Sequence, residues 1–167
     1  MAERSRTVPR GGLRVLCSLL WLSWLLVACG GKHESARPSV GDLKTAHATV
    51  SLGKDAVRGL LRVSTGDVIR TDAEGSARLR LDDGTVLILD HDAELAVEPE
   101  RVQLRRGRAF LVGAPGATFA AQLGGLTVLP NHAALGLQLS EAGPSIYCAR
   151  DEATLQGPSG EQRLRGG

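Results

Sequence analysis

The densest group of chemistry-bearing side chains is Asp90-His91-Asp92-Ala93-Glu94. On an extended strand Asp90, Asp92 and Glu94 would share one face, and carboxylates so placed suit a hard cation. A calcium loop needs more oxygens and a glycine-assisted turn around the ion, so a solvated turn leading into a strand edge is the expected reading. His33, His47, His91 and His132 are scattered without the spacing of a zinc site. No metal and no cofactor is expected.

A second group, Arg101, Arg105, Arg106 and Arg108, crowds around Gly107. Guanidinium groups suit phosphate and carboxylate recognition, which makes this run a candidate patch for an anionic partner such as a cell-wall polymer. A half-exposed strand pair with Glu94, Glu98 and Glu100 nearby accounts for the same residues without a ligand. Ser76, Ser140, Ser145 and Ser159 lack the context of an activated nucleophile, no carboxylate pair is placed for acid–base work, and no phosphate loop is present. Aromatic residues make up 3% of the chain, which supplies a sugar or haem pocket thinly. The chain is therefore read as non-enzymatic.

The cysteines divide by position. Arg4, Arg6, Arg10 and Arg14 precede the mostly apolar run Val15 to Val27, which falls short of the ~20 residues that span a bilayer. Leu26, Val27 and Ala28 then lead into Cys29. This order resembles the leader of bacterial lipoproteins, in which signal peptidase II cuts before the cysteine and the thiol carries a diacylglycerol. The resemblance implies that residues 1–28 are a signal peptide and that Cys29 is the lipidated membrane anchor. Cys17 leaves with the leader, so Cys148 alone stays in the domain, where its alternation with Ile146 predicts a packed core position.

Loss of residues 1–28 also changes the charge. The chain holds 20 basic and 18 acidic residues; removing four arginines and Glu3 leaves 16 and 17. A nearly neutral chain with few aromatics lacks the footprint of a nucleic-acid binder. Residues 29–45 read as the lipidated cysteine and a flexible tether, with Gly30 to Lys44 reaching at most about 50 Å. Gly30, where many retained inner-membrane lipoproteins carry Asp, favours the outer membrane.

The elements that must position these groups are β-strands. Gly66 to Leu89, GDVIRTDAEGSARLRLDDGTVLIL, holds three alternating runs separated by Asp72-Ala73-Glu74-Gly75 and Asp82-Asp83-Gly84. Acidic-plus-glycine turns between alternating runs are a hairpin signal. Candidate strands span 47–52, 57–63, 67–71, 76–81, 85–90, 93–98, 101–105, 108–112, 117–122, 125–129, 134–139, 145–149, 152–156 and 161–165. Short strands at this spacing suit a sandwich, barrel or solenoid and exclude a βαβ fold.

A nine-residue rhythm overlies them. Val68, Ala77, Val86, Leu95 and Leu104 follow it, and after a phase shift near Arg105 so do Phe110, Phe119, Val128, Leu137, Ile146, Leu155 and Leu164. Nine residues make a strand and a turn, placing one apolar side chain per unit at one depth of a stacked core. A meander of hairpins has overlapping spacing, and both arrangements stay open.

The motifs GD-VI-R-T, L-DGT-L-L and V-L-RGRAFLV resemble the FecR domain, the periplasmic module named for the ferric citrate signal transducer, over about 56–128. The matching positions are Gly66, Asp67, Thr71, Leu81, Asp83, Gly84, Leu89, Leu104, Gly107, Ala109 and Phe110. The resemblance implies an all-β, short-stranded β-solenoid-like or twisted β-sandwich domain over 46–167, with these residues at turns and core positions. It also implies a protein-interaction or scaffolding role in the periplasm, with an envelope protein as partner. FecR transducers also carry a cytoplasmic segment and a membrane-spanning helix, in place of which this chain has the Cys29 leader. The expectation is a lipid-anchored interaction module; a structural or polysaccharide-binding lipoprotein is the alternative.

Overall fold

The computed structural model describes residues 37–167, all of them strand, turn or loop. The leader, Leu26, Val27, Ala28 and Cys29 lie outside the described residues. Strands β1 (Ser39–His47), β2 (Val50–Leu52), β3 (Asp55–Ala56), β4 (Leu60–Ser64) and β5 (Val68–Thr71) open the domain. There follow β6 (Ser76–Leu81), β7 (Val86–Leu89), β8 (Glu94–Glu98), the long β9 (Arg101–Val112) and β10 (Ala120–Leu123). Strands β11 (Leu126–Leu129), β12 (Ala134–Ser140), β13 (Gly143–Arg150), β14 (Glu152–Gly157) and β15 (Gly160–Arg165) complete it.

One correction falls on the tether. Residues 39–45, expected to be flexible, are the body of β1, which pairs with β4 on one side and β6 on the other. Leu43 is fully buried there, while Asp42 and Lys44 turn to the opposite face. A central strand with one large apolar residue and charged outward neighbours carries too little apolar pattern to be distinguished from a polar linker.

All fifteen strands belong to one open, mixed sheet, whose two ladders meet on β9. One ladder runs β4-β1-β6-β7-β9-β12-β13, and the other runs from β3 through β2, β5, β8, β9, β10, β11 and β14 to β15. The first half of β9 pairs with β8 and, in parallel, with β10; the second half pairs with β7 and β12.

The strand changes ladders at a bulge. Glu94 faces Arg106 while Leu95 faces Leu104, which leaves Arg105 unpaired. The inward residues are accordingly Val102 and Leu104 before it, and Ala109 and Leu111 after it. The extra residue reverses the faces of β9, since one added residue moves every later side chain to the other face. Leu104 and Phe110, six residues apart where the rhythm shifts, therefore point to opposite sides. Gly107 follows at φ +84, with the Cα of Ala93 at 2.7 Å and the carbonyl of Asp92 at 2.8 Å from where a Cβ would stand. Only glycine fits both the backbone and the approach.

The hairpins alternate between ladders. After β6–β7 the chain crosses to β8–β9, and after β10–β11 it crosses back to β12–β13 before ending in β14–β15. The nine-residue rhythm is therefore a strand plus either a tight turn or a crossover. The solenoid expectation is corrected: stacked coils require parallel neighbours, and among the described pairings only β9–β10 is parallel.

The two ladders share one core, in which Leu43, Leu79, Leu87, Leu89 and Leu135 of one meet Ile69, Leu95, Leu104 and Leu123 of the other. Burying each such side chain contributes roughly 1.5–3 kcal/mol. The rhythm does not mark one depth: Ala77, Leu95, Val128 and Leu137 are buried, Val68 and Val86 only partly, and Phe110 is 40% exposed.

Candidate functional site

The sequence-selected acidic run does not form one face. Asp90 and Asp92 lie in the β7–β8 crossover, with Asp92 at φ +51, and Glu94 begins β8. Asp90 accepts from the His91 N–H at 2.9 Å and pairs with Arg108 at 2.8 Å. Its pKa is held below the ordinary carboxylate value, first by that backbone N–H and then by the His91 side chain and Arg108. Glu94 pairs with Arg70 at 3.0 Å and Arg105 at 3.6 Å.

The arginine run is spread over two ladders and engaged. Arg101 pairs with Glu98, Arg105 with Glu94 and Arg108 with Asp90, while Arg106 donates to the Asp92 carbonyl at 3.2 Å. These pairs are solvent-exposed, a setting in which each contributes about 1 kcal/mol or less. Cys148 is buried, its Sγ 3.5 Å from the carbonyls of Arg150 and Asp151. Ser145 is exposed on β13, and Ser76 starts β6 opposite His47, whose Nδ1 is 2.9 Å from the Glu74 carbonyl. Neither serine has a hydrogen bond to a histidine or carboxylate among the described residues.

The resemblance-derived positions hold the fold. Asp67 accepts the Ser64 N–H at 2.9 Å and closes the β4–β5 turn. Asp83 accepts Thr85 N–H at 2.8 Å through one oxygen and the N–H groups of Thr118 and Phe119, each at 3.0 Å, through the other. The β6–β7 turn is thereby tied to the segment that leads into β10. Thr71, buried on β5, is bonded to the β7–β8 crossover. Phe110 departs from expectation: it faces outward because the bulge puts Arg108, Phe110 and Val112 on the solvent side of β9.

Strand register gathers an unforeseen surface on the outer face of the first ladder. Leu60, Lys44, Arg78, Ile88, Phe110, Gly136 and Tyr147 are successive cross-strand partners, one on each of seven strands. Leu60 is 68% exposed, Ile88 45% and Tyr147 69%. Over Ile88, Phe110, Gly136 and Tyr147 lies a groove of about 370 Å³, with Asp90, Arg108, Gln138 and Ser145 along its side. The outward parity of Phe110 with Arg108 was a readable signal; the cross-strand juxtaposition was not, because its members are far apart in sequence.

The same ladder ends in an open edge. Strand β13 pairs only with β12, and no charged residue occurs from Gly143 to Ala149. The other terminal strands are protected by brevity or charge: β3 has two residues, β15 carries Glu161, Arg163 and Arg165, and β4 holds Arg62 bound to Asp42 and Asp82. An uncharged unpaired strand is a template for pairing with another chain. Pro144, which has no N–H to offer, sits near its start.

Comparison with known proteins finds no match to the chain among family models, curated proteins or solved structures.

Proposed function

We propose that the chain is a lipid-anchored, FecR-like interaction module facing the periplasm, without enzymatic chemistry, that receives an extended segment of an envelope protein as an added strand on β13. The observation that carries this reading is the uncharged, unpaired edge from Gly143 to Ala149, beside the exposed Tyr147. Strand addition draws affinity from main-chain hydrogen bonds and specificity from alternate side chains, here those meeting Ser145 and Tyr147. The anchor rests on the basic, apolar and Leu26-Val27-Ala28-Cys29 order. The FecR-like reading is supported by Asp67, Thr71, Asp83 and Gly107, which occupy the turns, the crossover bond and the ladder change.

The polysaccharide alternative rested on Arg101, Arg105, Arg106 and Arg108, whose side chains are already engaged; the edge is the less satisfied surface. Crosslinking of the full lipoprotein in intact cells, with Cys29→Ala as the mislocalised control, tests the proposal. A discrete protein captured only by the anchored form is the expected result. Cell-wall polymer alone, or nothing, would favour the structural or glycan-binding lipoprotein.

A further inference from the structure

We propose that the outer face of the first ladder rests on an anionic phospholipid surface. Lys44 on β1 and Arg78 on β6 are direct cross-strand neighbours, both exposed. Like charges so placed repel. Among the described residues neither has an ion pair, nor does Arg80, whose cross-strand neighbour Asp42 is bound to Arg62. Arg80 stands opposite Asp42, which shares Arg62 with Asp82, so its charge is balanced nearby. In a chain nearly neutral after Cys29, the adjacent uncompensated cations Lys44 and Arg78 on one face are an asymmetry that an anionic partner relieves.

Exposed apolar groups flank these cations in the same row. Leu60 lies on one side, and Ile88, Phe110 and Tyr147 on the other. Six strand spacings separate Leu60 from Tyr147, roughly 29 Å. Cations that reach phosphate groups beside aliphatic and aromatic side chains at headgroup depth are the chemistry of an interfacial membrane contact. A single acidic peptide strand would cover the cations and leave the distant apolar ends in water.

Chain length points to the same occupant, and here the inference rests on the anchored reading. Nine residues, ten Cα steps, separate Cys29 from Ser39, which allow at most about 36 Å between bilayer and domain. At such short range a weak surface contact is held at high effective concentration. Docking of the face also leaves β13 open sideways, because strand addition extends the sheet in its own plane.

The test is residue-resolved chemical footprinting of the full chain reconstituted in two kinds of vesicle, phosphatidylcholine alone and phosphatidylcholine with phosphatidylglycerol. An amine reagent reads Lys44, a glyoxal reads Arg78 and Arg80, and hydroxyl radicals read Tyr147. The expected result is several-fold protection of these positions in the anionic vesicles only, with Lys54 and Arg163 unchanged. Combined Lys44→Glu, Arg78→Glu and Arg80→Glu substitutions should abolish the protection of Tyr147, and Lys44→Arg with Arg78→Lys and Arg80→Lys should keep it. Equal labelling in both vesicles would overturn the proposal, as would protection by soluble polyglutamate in place of vesicles, which assigns the face to an acidic protein. The anchor is read separately from the mass of the Cys29 peptide, so its failure is not confused with failure of the face.

Discussion

Thr71 and Ala93 exchange hydrogen bonds: the Thr71 N–H donates to the Ala93 carbonyl at 3.0 Å, and the Ala93 N–H donates to Thr71 Oγ1 at 2.9 Å. The same hydroxyl donates to the Asp90 carbonyl at 2.6 Å. One buried side chain thus fastens β5 of the second ladder to the crossover that arrives from the first. Thr71→Val keeps the shape and strands the buried Ala93 N–H, at a cost of about 2–3 kcal/mol. Urea unfolding should show that loss, and Thr71→Ser should restore most of it.

Gly107 sets the geometry of the ladder change. Gly107→Ala meets a backbone at φ +84 and places its methyl group within 2.7 Å of the Ala93 Cα. Left-handed strain alone costs about 1–2 kcal/mol, and the contact raises the total to about 3 or more. A thermal melt should fall by roughly 10 °C. Gly136→Ala is the contrast: its Cβ would stand 3.8 Å from Tyr147, an ordinary contact, and its melt should be close to that of the unsubstituted chain.

Thr85 offers a stabilising change. Its side chain is 1% exposed and its Oγ1 has no hydrogen-bond partner among the described residues. Thr85→Val removes a buried polar atom at nearly constant volume while keeping the backbone bond to Asp83, and should raise stability by about 1 kcal/mol. Denaturant unfolding with an unchanged slope and a higher midpoint is the expected outcome.

Acid should weaken the first ladder through Asp82 and Asp90. Both carboxylates have pKa values below the ordinary 3.8, Asp82 through its hydrogen bonds from Arg62 and Asp90 first through the His91 N–H. A group whose pKa is lower in the folded state contributes stability that is fully present above the unfolded value and is lost as pH falls through the folded one. Stability should therefore decline below pH about 4, and Asp82→Asn should flatten part of that decline. Both groups are exposed, so the slope is shallow and fades in high salt.

Much of this fold was legible because its punctuation is local. The Asp-Asp-Gly turn at 82–84 and the alternation of Ala77, Leu79 and Leu81 set β6 and β7 nearly to the residue. The bulge on β9 was not marked: the nine-residue rhythm resumes at Phe110, six residues after Leu104, whereas the single added residue turns Phe110 outward. Strand β1 was hidden, since Leu43 is its only large buried residue and Asp42 and Lys44 look like linker. Which ladder each hairpin joins depends on pairings between distant strands, and so does the meeting of Lys44 with Arg78 or of Phe110 with Gly136 and Tyr147. Residues 101–108 drew attention by density alone; Lys44 and Arg78 meet across strands with no ion pair among the described residues, and sequence spacing gave no hint of it.

Strand addition on β13 is tested most directly by photo-crosslinking in cells. A photoreactive residue is placed at Ser145 or at Tyr147, two positions on one face of the edge strand, and at Gln162 on β15 as a control. The account predicts that the two β13 probes capture the same envelope protein at sites two residues apart, that Gln162 does not, and that Ser145→Lys abolishes capture at position 147. Capture at unrelated sites, or equal capture from β15, would contradict it.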